Sequence, residues 1–174
     1  MIDYWNARRG DGAPPARAAI DPSEFADIIT QAFVIGRART GVYPFRLAGS
    51  LLEDLHRRSL LPDDFLGLWA ISDRPKVGVA IESALHAGEA VVAHAVGRTA
   101  RGHQAKLEIF LAPLAGPAGQ VDRLLGLYQP VSPLFRLQSE SIERLFLSDI
   151  AFADAERTVP SPLRIASVDG RRIA

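Results

Sequence analysis

Near neutral pH, the side chains best suited to proton transfer or metal ligation in this chain are its four histidines, His56, His86, His94 and His103. No H-x-x-x-H or H-E-x-x-H spacing links them, so the sequence offers no zinc-type ligand set. His94 alternates with Val92 and Val96. It reads as a hydrogen-bonded core histidine or as a polar group in a pocket, where it would be the natural general base. Glu108, in a strand-like run, and Asp122, just after a turn, are the carboxylates an acid–base pair would need. Charged residues on strands usually face solvent, however. The chain has no cysteine, which excludes disulfides, thiolate metal ligands, a thiol nucleophile and any cysteinyl chromophore adduct. G-x-S-x-G, P-loop and G-x-G-x-x-G motifs are missing too. No catalytic residue is assigned, and the expectation is a protein that is not an enzyme and holds no metal.

Arginines could instead grip phosphates, as in cyclic dinucleotide sites. Arg8-Arg9, Arg57-Arg58, Arg98 and Arg101 are available, but no R-x-x-x-R occurs. Only Lys76 and Lys106 among the 20 basic residues are lysine, so arginine richness reflects composition bias. The basic residues balance 20 acidic ones, and a chain of zero formal charge is not expected to partner nucleic acid. No run approaches the roughly 18 apolar residues of a membrane span, and the start, MIDYWNARRGDGAPP, lacks a signal-peptide core. A soluble, cytoplasmic protein with no membrane partner is expected. With 174 residues, 48% hydrophobic and 23% charged, the chain suits one compact domain with terminal arms.

The elements follow from periodicity. Residues 1–22 form an arm in which Tyr4 and Trp5 precede the Gly/Pro/Ala stretch Gly10 to Pro15. A short helix there would dock its aromatics on the body or on a partner sheet. Asp21 is an N-cap, with Pro22 and Glu24 in the first turn. Phe33–Ala38 and Val42–Leu47 read as a hairpin, with Pro44 arguing for an edge or a bulge. Arg46 stands opposite the Phe45 face, as an outer-face ion-pair partner or an arm-docking group. Leu51, Leu52 and Leu55 mark one helical patch, and Phe65, Leu66, Leu68 and Trp69 mark another. Val77, Ala80, Ile81, Ala84 and Leu85 form the stripe of a long helix from Asp73 to Gly88. Ala90–Val96, His103–Leu114 and Val121–Tyr128 are three consecutive antiparallel strands. Residues 136–174 form a C-terminal extension. In it Ser141–Asp154 reads equally as strand or helix, and Glu156–Ala174 as a loosely held tail.

Several segments, in order, carry a resemblance: YWNARRG (Tyr4 to Gly10), P-x-R-x-x-I-D-P (Pro15 to Pro22), FRLAG (Phe45 to Gly49), LWAISDR (Leu68 to Arg74), LEIFLAPL (Leu107 to Leu114) and VDRLLGLYQP (Val121 to Pro130). With the hairpin–helices–three-strand order, they resemble a family of small stand-alone PAS-like proteins common in alphaproteobacteria. After FRLAG, the segment Leu51 to Phe65 departs from the Gly-Arg-Glu-like pattern of that family. The resemblance implies an α+β fold over residues 23–135: a PAS-like five-stranded antiparallel sheet with helices on one face, flanked by the arm and the extension.

It also implies a pocket between helices and sheet. Phe45, Leu52, Leu55, Trp69, Ile81, Val92, His94, Ile109 and Leu125 are its candidate lining, around a small apolar ligand or simply as solid core. PAS sensors can hold haem through a helix histidine, which points to His86. That residue follows Leu85 near the helix C-terminus, where an imidazolium favours the dipole. Neither haem nor flavin is favoured, and no cofactor is required. Tyr4, Trp5 and Arg46 are candidates for a homodimer or partner surface. The expected role is a non-enzymatic sensory or regulatory PAS module in bacterial signal transduction. It would act through protein–protein interaction, with itself and with a sensor kinase or other signalling protein. The alternatives are a small-molecule-processing enzyme on a cone-like α+β fold with His94 as base, and a ligand-free structural adaptor.

Overall fold

Proline and glycine punctuate the elements that roof the sheet. In the computed structural model, which describes residues 1–9 and 12–153, α3 (Arg74–Ala87) starts with Pro75 in its first turn and ends at Gly88 in the left-handed conformation (φ 68°). Val77, Ile81, Ala84 and Leu85 form its buried side. The shorter α2 (Ser50–His56) buries Leu52, Leu55 and His56, and a 3-10 turn at Phe65–Leu68 sits between the two helices. Asp21 accepts the Ser23 N–H and opens the 3-10 segment Pro22–Gln31, which is kinked at Phe25. The N-terminal α1 spans Ile2–Asn6.

Six strands make one antiparallel sheet: β1 (Ala32–Gly36), β2 (Phe45–Ala48), β3 (Val91–Arg98), β4 (Gln104–Ala115), β5 (Val121–Pro130) and β6 (Arg144–Phe152). Their order is β2-β1-β5-β4-β3-β6. The expected hairpin is β1–β2, and the expected three consecutive strands are β3, β4 and β5. The five-strand expectation is short by one. The Ser141–Asp154 stretch supplies β6, which pairs along the outer edge of β3 and satisfies backbone groups that would otherwise stand free. A bulge at Ser148 interrupts the periodicity there: Leu145 and Leu147 face the helices before the bulge, and Ile150 and Phe152 face them after it. The expected tail from Glu156 to Ala174 lies outside the described residues.

A second bulge reorganises the hairpin. Val34 pairs with Leu47 and Ile35 with Phe45, leaving Arg46 as the inserted residue. Alternation therefore breaks, and Leu47 leaves the Phe45 face and stays 47% exposed. Among the described residues Arg46 makes no ion pair with an acid and no hydrogen bond to the arm. Its side chain lies over Gly36, where a Cβ would meet Arg46 Nε at 3.1 Å, beside the stem of Arg123.

The sheet buries both faces. The helix side holds the larger cluster, including Phe33, Ile35, Phe45, Phe65, Trp69, Ile81, Ala93, Ala95, Ile109, Leu124 and Tyr128. The other side holds Trp5, Phe110, Ala112, Leu114, Leu125 and Leu127, bordered by Met1, Ile2, Ile20, Ile28, Val34 and Val92. Among the described residues no helix is long and apolar enough to cross a membrane.

Candidate functional site

A helix as short as α1 has little stability of its own; its docking contacts hold it. Trp5 is only 1% exposed, and its indole N–H donates to the Pro113 carbonyl at 2.9 Å. That carbonyl is available because β4 outruns its neighbour: β3 begins at Val91, opposite Leu111, so beyond this point one edge of β4 has no strand beside it. Pro113 has no N–H to leave unpaired there. Two residues on, the Ala115 N–H donates to the Pro15 carbonyl at 2.9 Å, and Ala16 forms a parallel bridge with Ala115. The arm thus covers both the apolar face and the bare edge of β4.

Its polar side is tied as well. The Tyr4 hydroxyl accepts the Asp21 N–H at 2.7 Å, and its ring meets Phe25 edge-on at 5.1 Å. The Arg8 guanidinium lies 3.7 Å over the Tyr4 ring and pairs with Glu24. Arg9 stacks over Trp5 at 4.7 Å and donates to the Gly88 carbonyl at 3.2 Å. A Cβ on Gly88 would come within 3.0 Å of Pro14. The arm therefore touches the C-terminal end of α3, the helix that roofs the opposite face. Trp5, a candidate for crossing to a partner, is covered by its own chain.

The helix side gathers part of the candidate pocket. Phe45, Leu52, Leu55, Trp69, Ile81 and Ile109 share one buried cluster. Val92, His94 and Leu125 do not line that space, because they lie on the arm side of the sheet. β3 turns the smaller Ala93 and Ala95 toward the helices, and β5 buries both of its faces, with Leu124 rather than Leu125 beneath the helices. His94 instead faces Glu108 at 3.4 Å, and both side chains are more than a third exposed. Glu108 and Asp122 sit at opposite ends of the β4–β5 pair, too far apart to act together. His86 is exposed. Among the described residues no group of three or more His, Asp or Glu could hold a metal ion.

Aromatic rings fill the space between helices and sheet. Phe33 lies 5.7 Å from Phe45 and 5.6 Å from Phe65, and Phe65 lies 6.0 Å from Trp69, centroid to centroid. The Phe33 ring rests on Gly126, where an added Cβ would lie 2.1 Å from it. Only glycine allows that approach.

The buried polar group that the sequence reading passed over is His56. Its spacing from Leu52 and Leu55 on α2 was the available signal, since i, i+3 and i+4 share a helix face. Nδ1 lies 2.9 Å from the Ile142 carbonyl, which can only accept, so Nδ1 carries the proton. Nε2 then accepts from the Tyr128 hydroxyl at 3.2 Å. Burial pushes the Tyr128 phenol up, keeping it a donor. Burial likewise lowers the His56 pKa from 6.5 to about 4. Between those values the unfolded chain binds the extra proton and the folded one does not. Stability should therefore fall as pH drops from 6.5 to 4, by at most about 1.4 kcal/mol per pH unit. In urea unfolding across this range, His56→Gln should remove that part of the slope; an unchanged slope would mean the imidazole is not held neutral.

Residues 1–129 match the sequence profile of the PAS domain. The chain belongs to the PAS domain family. Among the solved structures that resemble it, two illustrate the likeness. An RNA-binding light-oxygen-voltage receptor shares 23% identity at a TM-score of 0.51, over 72% of this chain and 38% of that one. A light-oxygen-voltage domain studied with a flavin analogue shares 17% at 0.50, over 66% and 86%. This PAS domain thus spans well under half the length of the first receptor, and at these identities the likeness is one of fold. No curated protein matches the sequence.

Proposed function

We propose that this PAS domain is a non-enzymatic sensory or regulatory module whose output is the docked or released state of its N-terminal arm. The observation that carries the reading is the meeting of arm and α3 at Gly88, through Arg9 and Pro14. A shift of the helix layer changes the seat of the arm, and arm release bares Phe110, Leu114, Leu125 and Leu127 together with the β4 edge. That surface suits a protein partner, either a second copy or a signalling protein such as a sensor kinase. Binding there selects the released state.

The interior does not fit a flavin. Phe33, Phe45, Phe65 and Trp69 occupy it in mutual contact, and no cysteine is present to form an adduct. Protein–protein interaction, rather than a chromophore, carries the output.

Deleting residues 1–20 tests it. The truncated protein should self-associate at lower concentration than the full chain, as read by light scattering coupled to size exclusion. An unchanged oligomeric state, with unchanged binding of the partner protein, would show that the arm is not the output.

A further inference from the structure

We propose that the cleft between the β1–β2 turn and the solvent side of α3 binds a small amphipathic carboxylate. This goes beyond the arm-based reading and does not depend on it. The cleft holds about 620 Å3, running along α3 from Arg74 to Ser83 and facing the turn at Thr40-Gly41. Small-molecule sites commonly span roughly 300–1,000 Å3. Leu66, Pro75 and Val79 supply its apolar surface, and Val79 is 67% exposed. Gly78 leaves the floor open: a Cβ there would stand 3.6 Å from Leu66, so the missing side chain is space rather than a tight contact.

The charges in the wall are unequal. Glu82 is balanced, with one oxygen taking the Tyr43 hydroxyl at 2.7 Å and the other the Arg37 guanidinium at 2.9 Å. Asp64 accepts the Tyr43 backbone N–H at 2.8 Å and caps the 3-10 turn. Arg74 differs. Its Nε donates to the Trp69 carbonyl at 3.2 Å, and no carboxylate among the described residues lies within ion-pair distance of it. The hydroxyls of Thr40 and Ser83 make no hydrogen bond within the described residues. An anchored guanidinium without a counter-charge among the described residues, in a cleft with aliphatic surface, matches a carboxylate head on an apolar body. Arginine meets a carboxylate with parallel N–H donors, whereas an amine placed on the guanidinium itself would face a like charge.

Titrating the full chain with sodium octanoate at millimolar concentration, followed by backbone amide NMR, tests the site. Shifts should concentrate on Thr40, Gly41, Leu66, Gly78, Val79 and Ser83, and octylammonium chloride should give none there. Arg74→Gln should weaken octanoate binding about tenfold, and Arg74→Lys should restore part of it. Gly78→Leu, which alters no charge, should block the cleft and serves if Arg74→Gln does not fold. Octanoate shifts elsewhere, equal response to octylammonium, no response at all, or binding unchanged by Arg74→Gln or by Gly78→Leu would overturn the proposal.

Discussion

Trp5→Ala is expected to release the arm from the sheet. Truncating a buried tryptophan removes its contacts and leaves a cavity, a loss of about 3–5 kcal/mol where the surroundings cannot collapse. The indole also holds the Pro113 carbonyl and the Arg9 stack, so neighbouring contacts weaken with it. The loss should appear as local opening rather than global unfolding, because the helix-side cluster does not include Trp5. Two readouts separate these outcomes. The Ala115 amide, which donates to Pro15, should exchange with solvent much faster, while the Ile109 and Leu111 amides in the middle of β4 keep their protection. Trypsin should cut at Arg8, Arg9 and Arg17 under conditions that spare the parent protein. Trp5→Phe keeps most of the apolar area but loses the N–H, and should cost about 1 kcal/mol. If Trp5→Ala leaves Ala115 exchange unchanged, the arm is held by Arg8, Tyr4 and Pro15 instead, and the indole is not its anchor.

Gly126→Ala is expected to be strongly damaging for a single added methyl. The new Cβ would sit 2.1–2.4 Å from three atoms of the Phe33 ring. The ring is hemmed in by Phe45 and Phe65, so it has no free rotamer to take. Overpacking of this kind costs about 1–3 kcal/mol, and more where backbone must shift. Guanidinium unfolding should show a lower midpoint with an unchanged slope. The clash also predicts its own relief: combining Gly126→Ala with Phe33→Leu should destabilise by less than the sum of the single changes. Strict additivity would mean that the ring and the glycine do not compete for the same space.

The PAS order of elements was legible because its signals are local. Asp21-Pro22, Pro75 and Gly88 mark helix boundaries, and strand alternation survives in Leu107, Ile109 and Leu111. What was not legible depended on the sheet as a whole. The bulges at Arg46 and Ser148 each shift alternation by one residue, so strict alternation would put Leu47 on the Phe45 face, which it does not share, and leaves β6 ambiguous. In β3 the valines looked like the core face, yet close helix packing selects Ala93 and Ala95 and leaves Val92 and His94 to the arm side. Leu125 could not be assigned from pattern, since β5 is apolar on both faces. The arm itself was legible from Tyr4 and Trp5, but the bare edge it covers was not. That edge exists only because β4 extends past the start of β3.

The molecule carries two tryptophans, and the sheet lies between them: Trp5 in one cluster, Trp69 in the other. Each layer thus has its own built-in fluorophore. With Trp69→Phe the emission reports arm seating alone, and with Trp5→Phe it reports the helix layer alone. Since there is no native thiol, a single introduced cysteine could carry an acceptor dye without background labelling. Distances across the two layers could then be followed in real time.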